Sequence, residues 1–421
     1  MRSCKLIAIW KLDVGHLYSI LVCEMPEPQM RYKWAHYKLV HHLEPLQEEL
    51  EMHSVTDNIP LSTSSIGTRR YITVHRFGVG HPGPKIYFQG GLHASELPGM
   101  VILAHLVRLL QGRDDEPNGE IIIVPCANPI GLSQRMQGLH VGRSDLGVGG
   151  NFNRNFPDLS ALLVEQFSAL RCEERVLDEA AVKLELRKAV AAIVPKNELD
   201  SMKQVLLGLA IDADYVLDLH SDDLGVVYAY VSNPEHPAAD LMCSHTKSVV
   251  SIDGIPDVVD FPAACLQPWR TARKLLPDVP ITECLTATLE YRGVRDVRDD
   301  VAIDDARGLL GFMEAVGILQ PEGAPQPQPA TLHTTQECVD YVRANAPGIS
   351  IFSKGPGDHV TAGEEVALIL DPTTGERTSL KARSSGIVFG CGGSKVVVPG
   401  SVIATIAGNS PLAMEAGDPF P

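Results

Sequence analysis

The sequence predicts an α/β protein: a mixed, mostly parallel sheet flanked by helices, followed by a C-terminal all-β barrel or sandwich. Three observations carry this expectation. Short, largely apolar runs recur at residues 85–89, 120–125, 215–220 and 287–291, as strands covered on both faces require. Helical patterns separate several of them, the alternation that builds parallel sheets. After a stretch with four prolines in ten residues, 320–329, the pattern changes to short β-type runs punctuated by Gly and Pro.

Taken in order, residues 1–48 show weak periodicity and read as an N-terminal extension. Met1-Arg2-Ser3-Cys4-Lys5 is basic and Leu6-Ile7-Ala8-Ile9-Trp10 apolar, but Lys11 and Asp13 break the run and no small-residue cleavage site follows. The main α/β segment is expected over 49–320. There, residues 70–76 alternate like a strand, and 85–89 form a buried strand running into Gly90-Gly91. Residues 98–110 form a helix that tolerates Pro98 in its first turn. A third strand follows at 120–125. Residues 159–211 are largely helical with a break near Pro195, 215–220 and 287–291 are further buried strands, and the helical run 304–316 closes the unit. A Pro-rich linker is expected over 321–330 and the β domain over 331–421. Its strand-like runs are 350–353, 365–370, 378–382, 386–389, 395–398 and 402–406.

Composition narrows the function. The chain of 421 residues has 36 Lys+Arg against 52 Asp+Glu, a net charge of −16, which speaks against nucleic acid or an anionic membrane as partner. No apolar run is long enough to span a bilayer. The nine cysteines are scattered, odd in number and without a CxxC pair, which points to a reducing compartment and a cytoplasmic protein.

Four places carry chemistry. His93 and Glu96 follow a buried strand, where open α/β sheets place their ligands, and their spacing lets an imidazole and a carboxylate reach one ion. His220 ends another buried strand. With His93 and Glu96 it completes the two-His, one-carboxylate set that catalytic zinc uses. Asp218 shares its strand face with His220 and reads either as that histidine's supporting partner or as a cap for a neighbouring loop. In the run 150–157, Arg154 has the planar fork that captures a carboxylate, and Asn153 adds donors; Asn151 and Asn155 read as loop residues satisfying their own backbone. Glu290 ends an apolar strand, where it either pairs with Arg292 or Arg295 or serves as a general base beside an activated water.

His93-x-x-Glu96, Asn153-Arg154, His220 and Glu290, in that order, resemble the succinylglutamate desuccinylase/aspartoacylase family, the deacylase branch of the zinc carboxypeptidase-like fold. The resemblance spans roughly residues 68–408. It implies that His93, Glu96 and His220 hold one Zn2+, that Asn153 and Arg154 bind a substrate carboxylate, and that Glu290 is the catalytic base. Two departures stand out. Ala94 occupies a position where many relatives have Gly, and the second carboxylate-binding or oxyanion arginine is either Arg135 or Arg143, of which Arg143 is carried forward as the candidate. Residues 355–366 resemble the half-barrel turn of biotinyl/lipoyl-type domains, but the hairpin 370–377 lacks the lysine those domains modify, which implies a structural role.

The expected function is therefore zinc-dependent hydrolysis of the amide of a small, anionic N-acyl amino acid or related carboxylate, by a protein that can also form a homo-oligomer. The alternatives are a zinc carboxypeptidase acting on peptides and a non-catalytic binding protein on the same fold.

Overall fold

Strand β3 (Lys85–Gly90) shows how the sheet comes to be covered on both faces. Tyr87 points into one core, Ile86 and Phe88 into the other, and all three are fully buried. Each such side chain contributes roughly 1.5–3 kcal/mol on leaving water. The structure, a computed structural model, describes residues 11–13, 16–18, 54–171, 177–254, 260–322 and 332–413. The chain divides into two units, Met1–Glu48 and Glu49–Pro421. In the first, Lys11–Asp13 pairs antiparallel with His16–Tyr18. The rest of the N-terminal extension and most of the Pro-rich linker lie outside the described residues.

In chain order the second unit begins with β1 (Ser54–Pro60), β2 (Tyr71–Phe77), β3, α1 (Pro98–Gln111) and β4 (Glu120–Val124). Three helices follow, α2 (Ser160–Arg171), α3 (Glu179–Ala191) and α4 (Glu198–Ala210). Next come β5 (Tyr215–Asp222), β6 (Val227–Val231), α5 (Ala239–His245), β7 (Val250–Asp253) and α6 (Phe261–Leu275). The main fold closes with β8 (Leu285–Gly293), α7 (Asp299–Ala315) and β9 (Leu332–Thr334). These strands form one nine-stranded sheet in the order β9-β7-β6-β8-β5-β3-β4-β2-β1. The central strands β8, β5, β3 and β4 run parallel, and antiparallel pairs join β6 to β8, β2 to β4 and β1 to β2.

Helices α2, α3, α4 and α6 cover one face around Phe167, Leu186, Leu206 and Trp269. Helices α1, α5 and α7 cover the other around Leu103, Met242 and Phe312. Among the described residues, no helix is long and apolar enough to cross a membrane.

The C-terminal region is all β. Strands β10 (Val339–Arg343), β11 (Gly348–Phe352), β12 (Glu365–Leu370), β13 (Arg377–Lys381), β14 (Gly386–Cys391) and β15 (Val402–Gly408) form two sheets, β14-β15-β10 and β13-β12-β11 with Val396–Val397. It docks on the main fold by strand pairing: Leu224–Gly225, in the β5–β6 connection, pairs antiparallel with β14. Val226 N–H donates to the Phe389 carbonyl at 3.0 Å, Gly393 N–H to the Asp223 carboxylate at 2.9 Å, and the Tyr228 and Phe389 rings lie 4.8 Å apart. The β domain thus grips the segment of chain that begins two residues after His220.

Candidate metal centre and active site

Both imidazoles sit at the C-terminal edge of the parallel strands. His93 follows β3 through Gly90-Gly91. A Cβ on Gly90 would lie 2.9 Å from the Gly99 backbone, and Gly91 has φ +69°, so two glycines let the chain turn sharply under the start of α1. Ala94 is fully buried, and its methyl is accommodated by glycines opposite: a Cβ on Gly131 or on Gly142 would lie 2.9 Å from the Ala94 Cβ. The Ala94 N–H also donates to the Gly142 carbonyl at 2.8 Å. His220 lies inside β5, in register with Glu290 on β8.

Glu96 joins the two histidines. Its Oε1 is 2.9 Å from His93 Nδ1 and its Oε2 is 2.8 Å from His220 Nδ1, and all three residues are buried. One ligand atom from each lies within 4.8 Å of the others. The far side of each ring is also occupied. Asn151 Oδ1 accepts the Asn153 backbone N–H at 2.8 Å, which fixes it as an acceptor, so His93 Nε2, 2.7 Å away, must donate to it. A neutral His93 therefore turns a lone pair from Nδ1 toward a carboxylate oxygen. Acceptor facing acceptor at that distance is unfavourable unless a cation lies between them, so the donor set fits a divalent metal that takes nitrogen and oxygen ligands. His220 Nε2 donates to Asp218 Oδ2 at 2.9 Å, Gln89 Nε2 to Asp218 Oδ1 at 3.0 Å, and the Tyr87 hydroxyl to Gln89 Oε1 at 2.9 Å. Asp218 is thus the supporting partner of His220, inside a buried chain that ends on Tyr87.

The electrostatics of the three residues follow from the same contacts. Burial disfavours the Glu96 carboxylate, but His220 and His93 on its two oxygens outweigh it and hold its pKa well below the usual range. Burial pushes His93 down, toward the neutral form that ligates metals. For His220 burial acts in the same direction, yet the carboxylates of Asp218 and Glu96 dominate and raise its pKa.

Glu290 is placed beside this set. Its Oε2 is buried without a hydrogen-bond partner, and burial pushes its pKa up to about 8. Arg292 does not pair with it: its guanidinium grips Asp305. Of the two upstream arginines, Arg143 reaches the centre, with Nη1 3.0 Å from Glu96 Oε1. Arg135 Nη1 instead donates to the carbonyls of Leu132 and Gln134. Asn153 is buried; its Oδ1 accepts the Phe261 N–H at 2.8 Å and its Nδ2 lies 3.4 Å from His220 Nε2. Arg154 Nη1 donates to the Asn153 carbonyl at 2.7 Å.

Asn151 and Gln89 contact the candidate site and were missed by sequence reasoning. Asn151 was expected only to satisfy its own loop, whereas its carbonyl oxygen also sets the tautomer of His93, a residue far away in sequence. For Gln89 a signal existed: a polar side chain at the C-terminal end of an otherwise apolar stretch, facing the same way as Tyr87.

Comparison with known proteins places this architecture. The family model described as Succinylglutamate desuccinylase/Aspartoacylase catalytic domain matches residues 82–194, the stretch that carries His93, Glu96, Asn153 and Arg154. That segment is therefore similar to the catalytic domain of the succinylglutamate desuccinylase/aspartoacylase family. Solved structures share the fold. A succinylglutamate desuccinylase/aspartoacylase family protein from Shewanella amazonensis is similar at 21% identity and TM-score 0.73, covering 84% of this chain and 98% of that one. Its counterpart from Shewanella frigidimarina gives 19% identity and TM-score 0.73 over 85% and 98%. The ectoine utilization protein EutE (DoeB) from Ruegeria pomeroyi, in a product-bound structure, gives 18% identity and TM-score 0.62 over 85% and 95%. No curated protein sequence matches the chain.

Proposed function

We propose that the chain is a zinc-dependent deacylase that hydrolyses the amide of a small N-acyl amino acid or related carboxylate. The observation that carries this reading is the pairing of a metal-type donor set, His93, Glu96 and His220, with the unpartnered carboxylate oxygen of Glu290 on the adjacent strand. Zinc held by those three residues supplies Lewis acidity, bringing the pKa of water at the site to ~7 and polarising the amide carbonyl.

The remaining work falls to side chains. Glu290, in its ionised form, takes a proton from the attacking water and returns it to the departing amine. Its raised pKa makes it a stronger base than an exposed glutamate. Arg143, largely exposed beside Glu96, is free to swing its guanidinium onto the oxyanion as the carbonyl rehybridises; one such donor is typically worth ~3 kcal/mol. Arg154, with Asn153 behind it, binds the substrate carboxylate and so selects anionic substrates in spite of the net charge of −16. Asn151 and Asp218 keep the two imidazoles in the ligating tautomer and orientation.

The test is direct. Zinc-loaded protein is incubated with N-acetyl, N-succinyl and N-formyl amino acids, and free amine is measured together with metal content. Amine release at about one zinc per chain is the expected result. Release of C-terminal residues from peptides, with N-acyl amino acids untouched, would transfer the assignment to a carboxypeptidase. No release with zinc bound would leave a binding protein.

A further inference from the structure

Lys203 on α4 is only 6% exposed, yet its ammonium meets no carboxylate: among the described residues it forms no ion pair, and Asp200 and Asp145 act on it only at a distance. The contrast with Lys85 is informative, because that ammonium sits 2.5 Å from Asp212. Lys203 Nζ instead donates to two consecutive carbonyls, those of Arg154 at 2.7 Å and Asn155 at 3.3 Å, and lies 5.4 Å from the centre of the Phe156 ring. Asn155 is one of the few non-glycine residues with positive φ, +58°, so the chain reverses hand immediately after Arg154. A buried, unpaired charge is costly, and a neutral donor could tie two carbonyls together. A positive charge becomes advantageous where the loop it supports receives an anion.

We infer that Lys203 is a positioning residue for the anion-binding turn 153–156: its ammonium holds the Arg154 and Asn155 carbonyls together and so sets how Arg154 meets a substrate carboxylate. This rests on the reading of Arg154 as the carboxylate binder. The holoenzyme is compared with Lys203→Met, Arg154→Ala and the double variant, at measured zinc content, on an N-acyl amino acid that the wild type hydrolyses. Backbone hydrogen exchange is followed over residues 153–156. Lys203→Gln, which keeps one donor, is carried alongside in case the Met variant does not fold.

In either Lys203 variant, amides of the turn should exchange faster, KM should rise about tenfold with kcat within about twofold, and zinc content should be unchanged. On the Arg154→Ala background the same substitution should change KM by less than about twofold, because its route of action is gone. Unchanged exchange over the turn overturns the inference. So does a KM effect that multiplies in full on the Arg154→Ala background, which would mean that Lys203 acts independently of Arg154. Faster exchange together with a normal KM in Arg154→Ala supports Lys203 as the holder of the turn and instead overturns the assignment of Arg154.

Discussion

Glu290→Gln in metal-free protein should reverse a pH-dependent loss of stability. With burial holding the folded-state pKa at about 8, the side chain stays protonated in the folded protein over a range where the unfolded chain, near 4.5, has already lost the proton. The folded state then binds more protons than the unfolded one, so this group's stabilisation is complete below about pH 4.5 and is lost as pH rises through about 8. A shift of this size corresponds to at most about 5 kcal/mol at ~1.4 kcal/mol per unit. Glu290 Oε2 is sealed, but the residue as a whole is only half-buried, and the solvent it meets reduces the effect to roughly 2–3 kcal/mol. Gln has nearly the same shape and does not titrate. Asp222 nearby, raised to about 6 by burial, titrates in both proteins, and its repulsion with Glu290 is part of what the substitution removes. The assay is urea unfolding with a chelator present, at pH 5 and pH 9. The stability of Glu290→Gln relative to wild type should improve by roughly 2–3 kcal/mol between the two. A difference that does not change with pH would refute the reasoning and place the Glu290 carboxylate in a solvated or ion-paired setting.

Three further outcomes are expected. Asp218→Asn removes the charged acceptor behind His220 Nε2, so zinc affinity, measured by competition with a chromophoric chelator, should fall by about 10–100-fold. Arg154→Ala should raise KM for anionic substrates with little change in zinc content, because the interaction it loses is made in ground state and transition state alike; steady-state kinetics read this split. Phe389→Ala empties the contact with Tyr228 and should cost about 3–5 kcal/mol in chemical unfolding, with any loss of activity traced to the gripped connection at 222–226.

Much of the main sheet could be read from the chain, because buried parallel strands leave continuous apolar runs: those expected at 85–89, 215–220 and 287–291 fall within Lys85–Gly90, Tyr215–Asp222 and Leu285–Gly293. Elements without such a pattern went unread. Strand Ser54–Pro60 lies exposed at the sheet edge and has no buried face to mark it. Helix Phe261–Leu275 contains Pro268, which breaks a propensity argument, although Asp260 as N-cap and Pro262 in the first turn signal its start. The candidate ligands were legible because each lies near the C-terminal end of a buried strand or in the loop that follows one. Their supports were not. Asn151 reaches His93 from a distant loop, and only the folded chain decides that Arg143 rather than Arg135 approaches Glu96. Strand Leu332–Thr334, which lies beyond the prolines yet completes the main sheet, was hidden for the same reason: its partner Val250–Asp253 is remote in sequence.

The central claim is that His93, Glu96 and His220 hold the metal while Glu290 moves the proton. It is tested most directly by amine release from an N-acyl amino acid, with zinc content determined on the same samples of wild type, Glu290→Gln and His220→Ala. The account predicts about one zinc per chain in the first two, a kcat lowered by ~10²–10⁴ in Glu290→Gln, and loss of both zinc and turnover in His220→Ala. Near-normal kcat in zinc-loaded Glu290→Gln, or full zinc occupancy with turnover in His220→Ala, would contradict it.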